Sequence, residues 1–478
     1  MSHSNSTARV ATHPGDARAD AVDADDVRHL LNRTGFSPPS VEVARYVGLS
    51  RAQAVATLLD GARTEAVTPP PGWADELPPP RALRQTWTPE QQRAEQQTRN
   101  QRYEALRAGW VHEMLVTPSP LTERMTLFWH NHFTSGQDKV PYPQMMAAQH
   151  RLLRRHALGR FDTLLHAVAK DPAMLQYLDG ANNRKGRPNE NFAREVMELF
   201  TLGEGHYTQR DVSEAARAYT GWSLDPDTLQ YVWRPNLHDD GIKTVLGESG
   251  PFDGDQVLDI LLARPETARF IGGKLWREFV SDTPDPVRLD AIAARFRQSG
   301  YDIKAALSEL LLSDAFWDDG NRGVLIKSPA EFVAGTVRLF DVSYGDPAQF
   351  VNTLRALGQN LFYPPNVKGW PGGVSWINST TLLARKQFVE QLFRATEAAR
   401  RPAMRASTGK PAAVGMHFDL DGWLGAYRTK PQTQPDVSTE LQLQHAVLPL
   451  TPVAAIEAGS TSSAYLQALL MDPAYQLK

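Results

Sequence analysis

The sequence contains no cysteine. That excludes disulfides, thiolate nucleophiles, Cys-ligated zinc and Cys-bound iron–sulfur clusters. It does not fix the compartment, because a cysteine-free chain tolerates either redox environment. Long apolar runs are missing too. No stretch approaches the roughly 18 consecutive apolar residues of a membrane-spanning helix, so no membrane insertion is expected. Residues 1–25 are polar and lack the apolar centre of a secretory signal, which makes the cytoplasm the default location. Export bound to a signal-bearing partner would leave no mark on this sequence. Charge of one sign is scarce as well: the net charge of −3 argues against a nucleic-acid binder that relies on bulk electrostatics. No G-x-S-x-G, H-E-x-x-H, phosphate-loop or dinucleotide pattern occurs, so serine hydrolases, zincins and nucleotide enzymes are unsupported.

What is present is a globular composition, 41 % hydrophobic and 22 % charged over 478 residues. Helical periodicity dominates. Ser50 is placed to cap the helix RAQAVATLLDG, and Thr88-Pro89-Glu90-Gln91 starts a helix with an N-cap, a first-turn proline and a capping-box glutamine. That helix is polar to about Arg102 and then gains an apolar face at Leu106, Trp110 and Met114. Ser119-Pro120 starts another by the same device. After Trp222 the period changes. LQYVWRP and KTVLG read as short strands joined by NLHDDGI, with Asp-Gly turn chemistry. The expected class is mainly α, a large multi-helix domain with a small antiparallel β-hairpin insert. The expected organisation is a disordered tail over 1–25, a main helical domain over 26–400, and a loop-rich extension over 401–478 ending in a helix packed on that domain.

The densest set of chemical side chains lies between Asp179 and Trp222. Asn189 is a good N-cap for a helix ended by Gly203, with Phe192, Val196 and Leu199 as its buried stripe. This helix admits two readings. Glu195 and Glu198, one turn apart, bind a hard cation or share a proton in a cleft. Alternatively, Glu190–Arg194–Glu198 is an i,i+4 ion-pair ladder on a solvated face. Upstream, His130-Asn131-His132 has a metal-ligand spacing. In a helix, however, the two rings diverge, and His132, on the apolar face with Phe128 and Trp129, reads by default as a hydrogen-bonded core histidine. The loop carrying Asn182, Arg184, Lys185 and Arg187, with Asn189 and Asn191 at the helix start, could hold an anionic group or simply cap neighbouring backbone. His238 is a further ligand candidate or plain turn chemistry, and Lys368 and Trp370 are a cation and an aromatic wall or a plug over the core.

Several blocks together, FWHNHF, NNRKGRPNENFAREVMELFTLGEGHYTQRDVSEAARAYTGW, HDDGIKTVLG, IKSPAEF and FYPPNVKGWPGGVSWINSTTLLAR, resemble the bacterial family called domain of unknown function 1800, in that family's order. The resemblance runs from about Asp26 to the terminal LLMDPAYQ helix. It implies a mostly helical fold. It also implies a possible partner, since the family's genes often neighbour those of domain of unknown function 1501, which resembles the alkaline phosphatase/sulfatase superfamily and commonly carries a twin-arginine-type signal. Many members carry an export signal of their own, and this chain departs from them there. Finally, the shared blocks imply a functional pocket built from His130, His132, Asn189, Glu190, Asn191, Arg194, Glu195, Glu198, His238, Lys243, Lys368 and Trp370.

Two functions are therefore expected as alternatives. One is an enzyme with Glu190, Arg194, Glu195 and Glu198 as catalytic candidates. There, a divalent ion such as iron or manganese is held with His130, His132 or His238, or Glu195 works as a metal-free acid/base. Asn182, Arg184, Lys185, Arg187, Asn189, Asn191, Lys368 and Trp370 then bind an anionic substrate. The other is a non-catalytic partner or export companion of the phosphatase/sulfatase-like protein.

Overall fold

The structure, a computed structural model, describes residues 21–400, 415–428, 439–456 and 462–478. Over these it is mainly α-helical, with two small antiparallel two-stranded sheets. The first 20 residues and most of 401–438 lie outside the described residues, and so do the sequence expectations that fall there. The first helix, Ala24–Thr34, is capped by Asp23 with Val22 already buried, slightly ahead of where order is expected to begin.

Helix starts follow the cap chemistry. Ser50 with Gln53, Thr88 with Gln91, Thr208 with Asp211 and Ser328 with Glu331 each form a reciprocal capping box. Ser119 does not follow this pattern. Its hydroxyl makes no cap bond and accepts from the Arg63 N–H (2.6 Å), tying the helix Pro120–His132 to the preceding connector. The helix Pro89–Val116 has an exposed polar first half and gains a buried face from Tyr103 onward. No described helix is long and apolar enough to cross a membrane.

The expected hairpin partners are not the observed ones. LQYVWRP and KTVLG do form strands, but not with each other. Strand β1 (Trp222–Leu224) pairs with β2 (Tyr231–Trp233), and β3 (Lys243–Val245) with β4 (Glu248–Gly250). Asp225 closes the first turn by accepting from Asp227 and Thr228 N–H, and Leu246-Gly247, both at positive φ, close the second. The Asp-Gly segment between them packs instead on the helix Gln209–Ala218, where Arg217 holds Asp239 at 2.8 Å.

One continuous apolar core runs from Val22 to Tyr475. The last described residues join it: Ile326 bridges Leu477, and Tyr475 packs on Phe332.

Candidate functional site

The helix Pro120–His132 ends in the middle of the molecule, with Trp129 and Phe133 fully buried. Successive helical residues sit about 100° apart, so His130, Asn131 and His132 leave the helix end on three different sides. Each meets a different element. His130 Nε2 lies 3.1 Å from His150 Nδ1 on the helix Pro143–His156, both rings packing on Trp110 and Phe362. Burial pulls His130 down to about 3 and His150 well below its usual range, so the pair is neutral. Glu123, two turns earlier on the same face, receives two bonds from Arg154 (2.7 and 2.8 Å) and one from Trp110 Nε1 (3.0 Å). Asn131 clamps the backbone of Trp370, accepting from its N–H (2.7 Å) and donating to its carbonyl (3.2 Å). A side chain at Gly369 (φ +81°) would collide with Asn131.

His132 turns towards the segment between Asp179 and Trp222. Its Nε2 donates to Phe200 O (3.2 Å), and its Nδ1 accepts from Lys274 Nζ (2.9 Å), which also donates to Leu199 O (3.2 Å). Burial pulls Lys274 down to about 8. Leu199 and Phe200 belong to a π-helical turn, Val196–Thr201, that continues the α-helix Glu190–Glu195. The wider turn adds a residue per coil and changes which side chains face each other, a feature frequent at functional sites.

That turn breaks the ion-pair ladder. Arg194 bonds Glu190 (3.1 Å) and Gln209 (2.8 Å), not Glu198. Glu190 is further held by Gln209 and Ser213, and these donors keep its carboxyl below the usual range. Glu198 instead accepts from the Tyr207 hydroxyl (2.7 Å) and lies 3.8 Å from Lys368 Nζ, which also reaches Glu204 (3.4 Å). Glu195 stands apart. It is half-buried and accepts no hydrogen bond from a described residue. Its carboxyl is pushed up by burial and then by the charge of Glu198, against the pull of Lys368, Arg194 and Lys139.

The remaining candidates are mostly architectural. Asn183 Nδ2 donates to Ala216 O (2.8 Å), and its Oδ1 accepts from Asn189 N–H (2.9 Å). Asn189 caps the helix through Asn191 N–H (2.9 Å) and donates to Asp179 O, while Asn191 donates to Leu178 O. Asn182, Arg184, Lys185 and Arg187 are exposed at the loop tip. Lys185 meets Asp240 (2.6 Å), and Arg184 and Arg187 have no carboxylate partner among the described residues. His238 Nδ1 donates to Thr220 O (2.9 Å). Lys243 is buried in β3, and its Nζ reaches no hydrogen-bond acceptor. Trp370 is buried and, with Asn131, Trp376 and Glu331, lines a cavity of about 100 Å³.

The structure thus brings Glu195, Glu198 and Lys368 together but does not gather the histidines with them. Among the described residues no three His, Asp or Glu side chains are grouped as donors for one ion. Both nitrogens of His132 are engaged, and His130 is turned to His150. The residues present therefore do not fit the iron or manganese site that the spacing allowed. Local sequence gave no sign of Lys274, His150 or the Glu123–Arg154 pair, because each meets its partner only through packing. Tyr207, in the GEGHYT turn directly after the helix, is near enough in sequence to Glu198 for spacing to suggest the contact.

No curated protein and no solved structure matches the chain. A family model described as "Protein of unknown function (DUF1800)" matches residues 29–477, nearly the whole sequence, and the chain belongs to that family.

Proposed function

We propose that Glu195 and Glu198 form a metal-independent acid–base pair acting on an anionic substrate attracted by Lys368. The observation that carries this reading is the contrast between two neighbouring carboxyls. Glu198 has a hydroxyl donor and a nearby cation, whereas Glu195 is half-buried with no donor. Carboxyls whose surroundings push them apart divide into acid and base roles. Glu195 retains its proton to higher pH than an ordinary carboxyl and is the acid; Glu198 is the acceptor. An anion pairing with Lys368 would arrive within reach of both.

The test begins with a carboxyl titration of Glu195 by carbon-detected NMR. Glu195 is expected to titrate above the ordinary glutamate range and to fall in Glu198→Gln. A panel of phosphate, sulfate and carboxylate esters is then screened. A hit is expected to lose turnover in Glu195→Gln and to gain KM in Lys368→Ala. Stoichiometric iron or manganese in the purified protein, lost in His132→Ala, would overturn the metal-free reading.

A second reading rests on the loop tip, where Arg184, Lys185 and Arg187 are exposed and, among the described residues, Lys185 alone has a carboxylate partner. Such a tip suits an acidic protein surface. On this reading the chain is the binding partner of a domain of unknown function 1501 protein and leaves the cytoplasm with it. Co-expression is expected to yield a complex that Arg184→Glu with Arg187→Glu dissolves. Retention of this chain in the cytoplasm while the neighbour is exported would refute it.

A further inference from the structure

We infer that the cavity between the proline-rich connector and the helices Pro89–Val116 and Pro143–His156 is a binding site for a hydrophobic carboxylic acid. It is separate from the Glu195–Glu198 pair. Its volume is about 450 Å³, inside the roughly 300–1,000 Å³ span of small-molecule pockets. Prolines 69–71 form one wall, and Leu106, Trp110 and Ala147 form much of the rest.

The connector is fixed over the cavity rather than draped on it. The buried carboxylate of Glu113 accepts from the N–H groups of Val67 (3.2 Å) and Thr68 (2.7 Å). That anchoring places Thr68 in the cavity wall, with its hydroxyl oxygen turned away from any solvent-sized space. His150 also lines the cavity, and because its Nδ1 is engaged by His130, only Nε2 remains for an occupant. Arg154 is paired with Glu123 and the Glu113 carboxylate accepts from the connector N–H groups, so no unpaired cation lies inside. At the rim, Arg155 is exposed and has no carboxylate partner among the described residues. The surroundings therefore ask for an apolar body, one hydrogen-bonding group inside and an acidic group at the mouth.

Gly109 supports the assignment independently. It lies within the helix Pro89–Val116, where glycine is the poorest helix former after proline. A β-carbon there would meet nothing within 4 Å, so no close approach of another element requires glycine. What a side chain at 109 would occupy is the cavity itself.

The experiment is a fluorescence titration of the full chain with 1-anilinonaphthalene-8-sulfonate, an aromatic anion, followed by displacement with decanoate and with decanol. Saturable binding of one probe per chain is expected, with decanoate displacing it at least tenfold better than decanol. Gly109→Leu is expected to weaken probe binding at least tenfold while the unfolding temperature stays the same or rises, which separates blockage from misfolding. Arg155→Glu is expected to weaken it several-fold, and Glu195→Gln to leave it unchanged. Probe binding undiminished in Gly109→Leu would place the probe elsewhere and overturn the site. Equal displacement by decanol, with Arg155→Glu silent, would overturn the carboxylic acid.

Discussion

Two polar segments with comparable promise in the sequence, Trp129–His132 and Asn189–Glu198, end up in opposite conditions. In the first, every polar side chain is buried or part-buried and engaged: His130 with His150, Asn131 with the Trp370 backbone, His132 with Phe200 O and Lys274. In the second, the N-terminal residues are engaged in capping and in the Glu190–Arg194 cluster, but Glu195 is left half-buried without a donor. A side chain already committed to internal bonds is architecture, and removing it breaks the fold. One held in a raised-energy state without partners is available for chemistry. The comparison separates two kinds of polar residue that look alike in sequence.

The largest expected effect tests the architectural side. His132→Ala removes one of the two acceptors of the part-buried Lys274, leaves Phe200 O without its donor and empties a site in the core. Truncating a buried ring and stranding its hydrogen-bond partner typically costs about 3–5 kcal/mol, which urea unfolding would register. A loss below about 1 kcal/mol would mean His132 is not structural. Asn131→Ala comes next. It strands the Trp370 N–H and carbonyl, and a loss of about 1–3 kcal/mol is expected from the same assay.

The smallest effect is expected at Glu195. Glu195→Gln should change unfolding free energy by less than about 0.5 kcal/mol at neutral pH, or raise it, because no bond is lost. Its pH dependence has a definite sign. The folded carboxyl titrates above the unfolded one, so the folded state binds the proton more tightly. The Glu195 contribution is present below the unfolded value, near 4.5, and is lost as pH rises from there through the folded value. Glu195→Gln should flatten that part of the stability–pH curve. A destabilisation as large as that of His132→Ala would erase the distinction between the two segments.

Much of the helical framework was legible because caps are local. The boxes at Ser50, Thr88 and Ser328 need only residues within one turn, and Gly203 ends its helix at φ +82° as glycine allows. Strand partners were not legible: β2 and β3 were recognisable, yet each pairs with a segment that gave a weaker signal. The candidate site was legible only in part. Glu195, Glu198 and Lys368 were identified, but the π turn that rotates Glu198 away from Arg194 and towards Tyr207 has no local signature here.

By itself, then, the sequence determined the mainly helical class, most helix starts, the absence of thiol chemistry and the family, because composition, periodicity and short blocks of residues carry these. Tertiary structure decided which polar groups meet. Whether His132 faces a metal or a lysine, and whether Arg194 occupies Glu198, depends on partners 142 residues distant or on one added residue in a turn. Those choices are set by packing, which spacing along one helix does not encode.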